Sequence, residues 1–298
     1  MIDIDIIKQY FDRIGTPHRE DVTGSECTSF RTGGRIASFV YPENASQAAA
    51  VFDFCRKGSI PFFVIGNGSN LLIPDEGLDM VFVRLSGELT NYRIEGQRLI
   101  CGAGASLAAV SKYSVYSGLS GLEWAAGIPG TVGGAVAMNA GAYGGEVKQR
   151  LVTVTVYNDG KLEKLEVTDD SMGYRRSLYS FPNMIVLEAE FALDKDDGSA
   201  KQRMDDYNER RRLKQPLNYP SAGSTFKRPE GHFAGALIEQ AGLKGTRIGG
   251  AEVSEKHAGF IINRGGATSN DVTALIKAVE QTVFEKYGVW LEPEVKIL

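Results

Sequence analysis

The chain has 298 residues, 43% hydrophobic and 23% charged, which is the composition of a globular protein with a full apolar core and room for two domains. A net charge of −4 gives no field for polyanions, and three histidines limit any His-rich metal site; Cys27, Cys55 and Cys101 lack the spacing of zinc ligands or of a disulfide framework. No metal and three buried thiols are expected, and with no apolar run near the ~18 residues of a membrane span and an acidic opening, MIDIDIIKQYFDRIG, a cytoplasmic protein is expected.

IASFVY (36–41), an Asn44-capped ASQAAAVFDFCRKG and PFFVIG (61–66) alternate strand, helix and strand, as a βαβ unit does. MVFVRL, YRIEG and RLICGA continue as strands, and SLAAVSKYSVYSGL carries apolar residues at helical spacing. In GLEWAAGIPGTVGGAVAMNAGAYGGEV (121–147) glycines interrupt the apolar residues too often for an ordinary helix or strand, so a long structured loop is expected. LVTVTVYNDGKLEKLEV reads as a hairpin with Asn158, Asp159 and Gly160 at its tip, and MIVLEAEFAL as a further strand.

The first domain is expected to close near residue 197. The polar helix SAKQRMDDYNERRRLKQP, which stops before Pro216, then leads into a second domain spanning 198–298. There NDVTALIKAVEQTVFEKYG puts Val272, Leu275, Ile276, Val279, Val283 and Tyr287 on one apolar face and ends at Gly288. The C-terminal stretch 289–298 can return to the first domain as a strand, although Pro293 restricts its pairing.

Glycine is the one unusual quantity, 35 in 298 residues against a typical ~7%. In VIGNGSNLLI (64–73) the turn Gly66, Asn67, Gly68, Ser69 and Asn70 follows an apolar strand, where backbone N–H groups can converge on an anion such as phosphate. It lacks the Gly-Lys-Ser/Thr ending of a P-loop, and a dinucleotide fingerprint needs a glycine where Leu71 stands; GAGASL (102–107) fails in the same way at Leu107. A tight connection between strands is the alternative. A second glycine-rich segment, AAGIPGTVGGAVAMNAGAYG, allows extended backbone to lie against a flat ligand, and the two together favour a large phosphate-bearing cofactor over two simple connectors.

Seven motifs occur in order: TSFRTGG (28–34), GNGSNLL, GIPGTVGGAVAMNAGAYG, GYRRSLYS, SAGSTFKRP, AGLKGTRIGGAEVSEKHAGFIIN and LEPEVKIL. Through them almost the whole chain resembles the UDP-N-acetylenolpyruvoylglucosamine reductase family, in its shorter type without an extra loop carrying a clamping tyrosine. The resemblance implies an α+β protein: a vanillyl-alcohol-oxidase-type FAD-binding domain of two α/β subdomains, followed by an α+β substrate-binding domain. It also implies non-covalent FAD, with Gly66, Asn67, Gly68, Ser69 and Asn70 at the pyrophosphate and Gly127, Ile128, Pro129, Gly130, Thr131, Gly133 and Gly134 along the rest of the cofactor.

By the same resemblance NADPH reduces FAD, and the reduced flavin then reduces the enolpyruvyl group of UDP-N-acetylglucosamine enolpyruvate to UDP-N-acetylmuramate, in peptidoglycan precursor synthesis. Ser224 matches the family's proton donor, with Lys227 a neighbouring cation for the developing alkoxide. Arg175 matches a residue that offers paired N–H donors to the substrate carboxylate. Glu294 matches a third position, and it helps an anionic transition state only if it is protonated or orients a donor, so a raised pKa is expected. Lys214 is implied at the UDP diphosphate, with Lys256 and Asn263 as further substrate contacts. Two readings compete: an FAD-linked oxidase of the same fold, for which SAGSTFKRP and LEPEV have no job, and a UDP-sugar or nucleotide-binding module without chemistry, against which intact Arg175, Ser224 and Glu294 argue.

Overall fold

The computed structural model of the protein describes residues 2–182 and 184–298. The chain divides into two compact units. The first holds the N-terminal residues up to Glu20, Ala37–Gly66 and Asp79–Arg210; the second holds Asp21–Ile36, Asn67–Leu78 and Arg211–Leu298. The sequence expects a first domain closing near 197, whereas this unit extends through most of the helix Ala200–Lys214.

In the first unit the expected βαβ elements appear as Arg35–Val40, Ala45–Lys57 and Phe62–Val64, the helix begun by Asn44, whose Oδ1 accepts from Gln47 N at 2.9 Å. They belong to a four-stranded sheet ordered His18–Thr23, Arg35–Val40, Leu78–Val83, Phe62–Val64, with the last two strands parallel. A five-stranded antiparallel sheet follows, ordered Lys161–Glu166, Leu151–Asn158, Ile185–Ala192, Arg98–Gly102, Tyr92–Glu95. Its hairpin turns at Asp159 and Gly160, both with positive φ (44° and 84°), the geometry that joins twisted strands in two residues.

One apolar core joins Phe52 and Cys55 of the helix to Val154, Val156 and Tyr157 of the second sheet. Burial and a bond to the Asp53 carboxylate push the Tyr157 phenol up to about 12; the same bond, ahead of Lys57, holds Asp53 below its ordinary value. The linker helix has no continuous apolar face. It is held by buried Ala200 and Met204 and by Arg203, which donates to Glu123 Oε1 through Nε (3.1 Å) and Nη2 (2.7 Å). The glycine-rich segment also differs from expectation. Val132–Ala137 is helical, because Thr131 Oγ1 caps it by accepting from Gly134 N at 3.3 Å.

The second unit packs Ala234–Gln240 and Ser269–Tyr287 with the antiparallel strands Arg247–Ile248, Ala251–Val253 and Ile261–Asn263. The long helix buries Val272, Leu275, Ile276, Val279 and Val283 and ends at Gly288 (φ +67°), as its periodicity predicts. Tyr287, at the edge of that face in the final turn, is 39% exposed. Thr268 and Asp271 cap its start reciprocally, and N–H bonds from Thr268 and Gly250 hold the Asp271 carboxyl below its ordinary range. Asp75 adds a second cap, its two oxygens accepting from Ser269 N (2.8 Å) and Asn270 N (2.9 Å). That bond ties the stretch after the glycine turn to residues almost 200 positions later, which no local pattern announces. The C-terminal Lys296–Ile297 pairs in parallel with Leu71–Leu72.

All three cysteines are buried, and burial pushes the Cys55 and Cys101 thiols up to about 12. A thiol reagent at pH 8 is therefore expected to label none of the three in the folded protein and all three in guanidinium; fast labelling of Cys55 or Cys101 in the native state would contradict this packing.

Candidate functional site

Within the first unit a cleft of about 510 Å³ lies between the end of Phe62–Val64, the strand Ile185–Ala192 and the helix Val132–Ala137. Gly66, Gly104, Thr131, Gly133, Gly134 and Ala137 give it backbone-rich walls, with Tyr179 and Phe181 contributing aromatic surface. The glycines are there because neighbouring segments leave no room for a Cβ. A Cβ on Gly66 would stand 2.4 Å from Thr131 Oγ1, and one on Gly104 2.6 Å from Leu85 O. The two glycine segments are also bonded directly: Leu107 N donates to Gly130 O, Val132 N to Ala105 O and Gly133 N to Ala103 O, at 2.8–3.0 Å. GAGASL, which fails as a dinucleotide fingerprint, thus serves as the strip on which IPGTVGG is laid.

Of the expected cofactor residues in this unit, Gly66, Thr131, Gly133 and Gly134 line the cleft, while Gly127, Ile128, Pro129 and Gly130, just before Thr131 in the chain, are not among its described lining residues. Arg84, whose guanidinium carbon lies 5.1 Å from the Phe39 ring centre, is the one charged residue among the described lining residues. It was missed because an arginine closing the apolar run MVFVRL looks like an ordinary strand end; its position two residues beyond a buried Phe82 was the available signal.

Asn67, Gly68, Ser69 and Asn70 belong to the second unit. Gly68 O accepts from Ser29 N at 3.1 Å, and a planar trans peptide therefore turns the Ser69 N–H the opposite way. Gly68 has φ +61°, and a Cβ there would lie 2.0 Å from Cys27 O, so TSFRTGG and GNGSNLL need each other's backbone. Asn70 Nδ2 donates to Glu294 O at 3.0 Å, and Asn70 O accepts from Lys296 N at 3.0 Å.

The same unit brings Ser224 and Glu294 onto neighbouring segments. Glu294 N donates to Thr225 O and Lys227 N to Glu292 O, both at 2.8 Å, on either side of an antiparallel Phe226–Pro293 bridge. The bonds pass through the residues flanking Pro293, so its missing N–H is not needed. Ser224 is exposed, next to a buried Thr225 that is pinned by Gly259 O through its N–H and by Ile261 N through its Oγ1. Lys227 is paired with Glu292, so its charge is shared. His257 accepts from Gly259 N through Nδ1, and burial lowers its pKa, keeping the imidazole neutral beside that segment.

Lys256 Nζ donates to Arg212 O at 2.8 Å, in the last turn of the helix that ends at Lys214, so two of the expected substrate lysines share one helix end. Asn263 is engaged inward: Oδ1 accepts from Gly265 N (2.9 Å) and Ala267 N (3.2 Å), and Nδ2 donates to Phe30 O (3.1 Å). One N–H is all its side chain has left to offer a substrate.

Arg175 stands in the first unit at the tip of the hairpin Met172–Gly173/Arg176–Ser177, with φ +54°. Its Nη2 donates to Gly141 O (3.1 Å) and its Nη1 to Asn139 O (3.4 Å), while its guanidinium carbon lies 5.1 Å from the Tyr174 ring centre. Three non-glycine residues of positive φ, Asn139, Tyr143 and Arg175, gather here, and Tyr143 stacks on Tyr207 of the linker helix at 4.7 Å.

The family model described as FAD binding domain matches residues 36–166, and that described as UDP-N-acetylenolpyruvoylglucosamine reductase, C-terminal domain, matches 215–298. UDP-N-acetylenolpyruvoylglucosamine reductase of Clostridium novyi (strain NT) is 49% identical over 273 residues, 91% of this chain and 89% of that protein. Its counterpart in Exiguobacterium sibiricum is 46% identical over 91% of this chain and 90% of that one. The crystal structure of UDP-N-acetylenolpyruvylglucosamine reductase from Thermus caldophilus superposes with a TM-score of 0.81 at 35% identity, covering 95% of this chain and 98% of that chain.

Close packing of Gly66 on Thr131 makes a suppressor test available. Gly66→Ala is expected to lower the FAD content of the purified protein, and Thr131→Ala added to it to restore part of that content by vacating the position the new methyl needs. Undiminished FAD in Gly66→Ala would mean that this contact does not shape the cleft.

Proposed function

Because the chain belongs to the UDP-N-acetylenolpyruvoylglucosamine reductase family, we propose a division of its catalytic work among its own residues. The protein is an FAD-dependent oxidoreductase that uses NADPH to reduce UDP-N-acetylglucosamine enolpyruvate to UDP-N-acetylmuramate in peptidoglycan precursor synthesis. In this reading it works in the cytoplasm, where both NADPH and a UDP-sugar are available to it.

The residues present fit FAD. The cleft is lined by bare backbone at Gly66, Gly104, Gly133 and Gly134 and by the aromatic side chains of Tyr179 and Phe181, a surface suited to a flat ligand. Gly66, Thr131, Gly133 and Gly134, with Arg84, would hold the cofactor there, and Asn67–Asn70 would turn main-chain donors such as Ser69 N–H toward its pyrophosphate. Bound FAD supplies the route by which reducing equivalents pass from NADPH to the enolpyruvyl double bond.

Arg175 binds the substrate carboxylate and draws charge onto its oxygens as the double bond is reduced, its guanidinium already fixed by two main-chain carbonyls. Ser224 Oγ gives its proton to the carbon that bears the carboxylate, where negative charge develops, and being exposed it regains a proton from solvent. Glu294, protonated in this scheme, donates toward the same developing charge, and its main chain is fixed from both sides by Thr225 and Asn70. Lys214 and Lys256 draw the UDP diphosphate to the end of the linker helix as point charges.

The observation that carries this reading is the pairing of Thr225–Lys227 with Glu292–Glu294, which supports a shared role for Ser224 and Glu294. In the Ser224→Ala protein, NADPH is expected to bleach the flavin at the native rate, while substrate-dependent reoxidation slows on the order of 10²-fold or more. Equal slowing of both steps would overturn the assignment of Ser224 as proton donor.

A further inference from the structure

Asn139 is 1% exposed and uses both ends of its carboxamide. Its Nδ2 donates to Glu146 Oε2 (3.1 Å) and to Gly173 O (3.0 Å), and its Oδ1 accepts from Lys148 N (2.9 Å). Those partners belong to the two turns that frame Arg175. Glu146 and Lys148 lie on and just past the hairpin Gly141–Ala142/Gly145–Glu146, and Gly173 opens the hairpin that carries Arg175. The main-chain carbonyl of Asn139 accepts from Arg175 Nη1, and that of Gly141, two residues on, accepts from Nη2.

A guanidinium whose terminal nitrogens both rest on main-chain carbonyls is aimed only as well as the loop bearing those carbonyls. That loop leaves the ordinary backbone regions at Asn139 (φ +45°), so the three side-chain bonds supply the constraint that local preference does not. We propose that Asn139 is a positioning residue, locking the loop 139–148 to Gly173 so that the Asn139 and Gly141 carbonyls aim Arg175 at the substrate carboxylate. The inference rests on the reading of Arg175 given above. It also predicts a specific asymmetry: reduction of the flavin by NADPH is indifferent to the aim of Arg175, and reduction of the enolpyruvyl group is not.

The test is a two-residue cycle followed by stopped-flow absorbance of the flavin. Asn139→Gly removes the carboxamide while easing the positive φ, and it is expected to retain FAD and to be reduced by NADPH at the native rate. Its reoxidation by UDP-N-acetylglucosamine enolpyruvate is expected to slow by roughly 10- to 100-fold, the scale of a misplaced reacting group. Added to Arg175→Ala, it is expected to slow reoxidation no further, because the residue it positions is gone. Equal slowing with and without Arg175, or no slowing at all, would overturn the proposal. Native-rate reoxidation by Arg175→Ala alone would overturn the role of Arg175 itself, and with it this inference, a failure recognisable without any Asn139 variant. Should Asn139→Gly lose FAD, Glu146→Ala, which removes one of the three bonds, passes through the same cycle: slowing only when Arg175 is present supports the proposal, and any other pattern overturns it.

Discussion

The C-terminal segment Glu292–Leu298 is bonded along both edges, and the second unit depends on that. On one edge Glu292 O and Glu294 N meet Lys227 and Thr225; on the other Asn70 holds Glu294 O and Lys296 N, and Leu298 N reaches Leu72 O. Val295 and Leu291 meanwhile bury their side chains in the core with Phe226, Phe30 and Leu72. Five main-chain or amide bonds at 2.8–3.1 Å, made by a segment buried on its apolar side, fix the glycine turn, the serine segment and the acidic residue against one another. The relative placement of these segments is thereby set by backbone, which varies less than side-chain rotamers do.

The first unit follows the same rule with different parts. Its cleft is walled by glycines whose main chains touch Thr131, Leu85 and Ala103, and Arg175 is fixed by carbonyls at a hairpin tip of positive φ. Conformations of this kind cost on the order of 1 kcal/mol or more each and persist because neighbouring bonds over-determine them. Here the compensation is visible: the buried Asn139 carboxamide, the Tyr143–Tyr207 stack and the Arg203–Glu123 pair all brace the linker helix or the 139–148 loop.

Much of this was legible in the sequence because its signals are local. Asn44 and Gly288 mark helix ends, Asp159–Gly160 marks a hairpin, and the glycines of GNGSNLL and IPGTVGG mark places where backbone must come close. What was not legible depends on contacts distant in sequence. The stretches 21–36 and 67–78 join the second unit through bonds such as Ser29–Ser221, Phe30–Asn263 and Asp75–Ser269, none of which alters local periodicity. Thr131 caps a helix inside what reads as loop, and that helix is held by packing, with Val132, Ala135 and Val136 buried in the core. Asn263, a substrate candidate by motif, spends most of its carboxamide on the loop 263–267, and Asn139 draws no attention in a glycine-rich run although it carries three bonds.

The most direct test of the account follows the flavin of the native protein without oxygen. After reduction by NADPH and removal of the excess, addition of UDP-N-acetylglucosamine enolpyruvate is expected to restore the oxidised visible band promptly, with one equivalent of substrate consumed per flavin. A band that stays bleached with the substrate and returns only when air is admitted would contradict the assigned reaction, leaving a flavoprotein whose electron acceptor lies elsewhere.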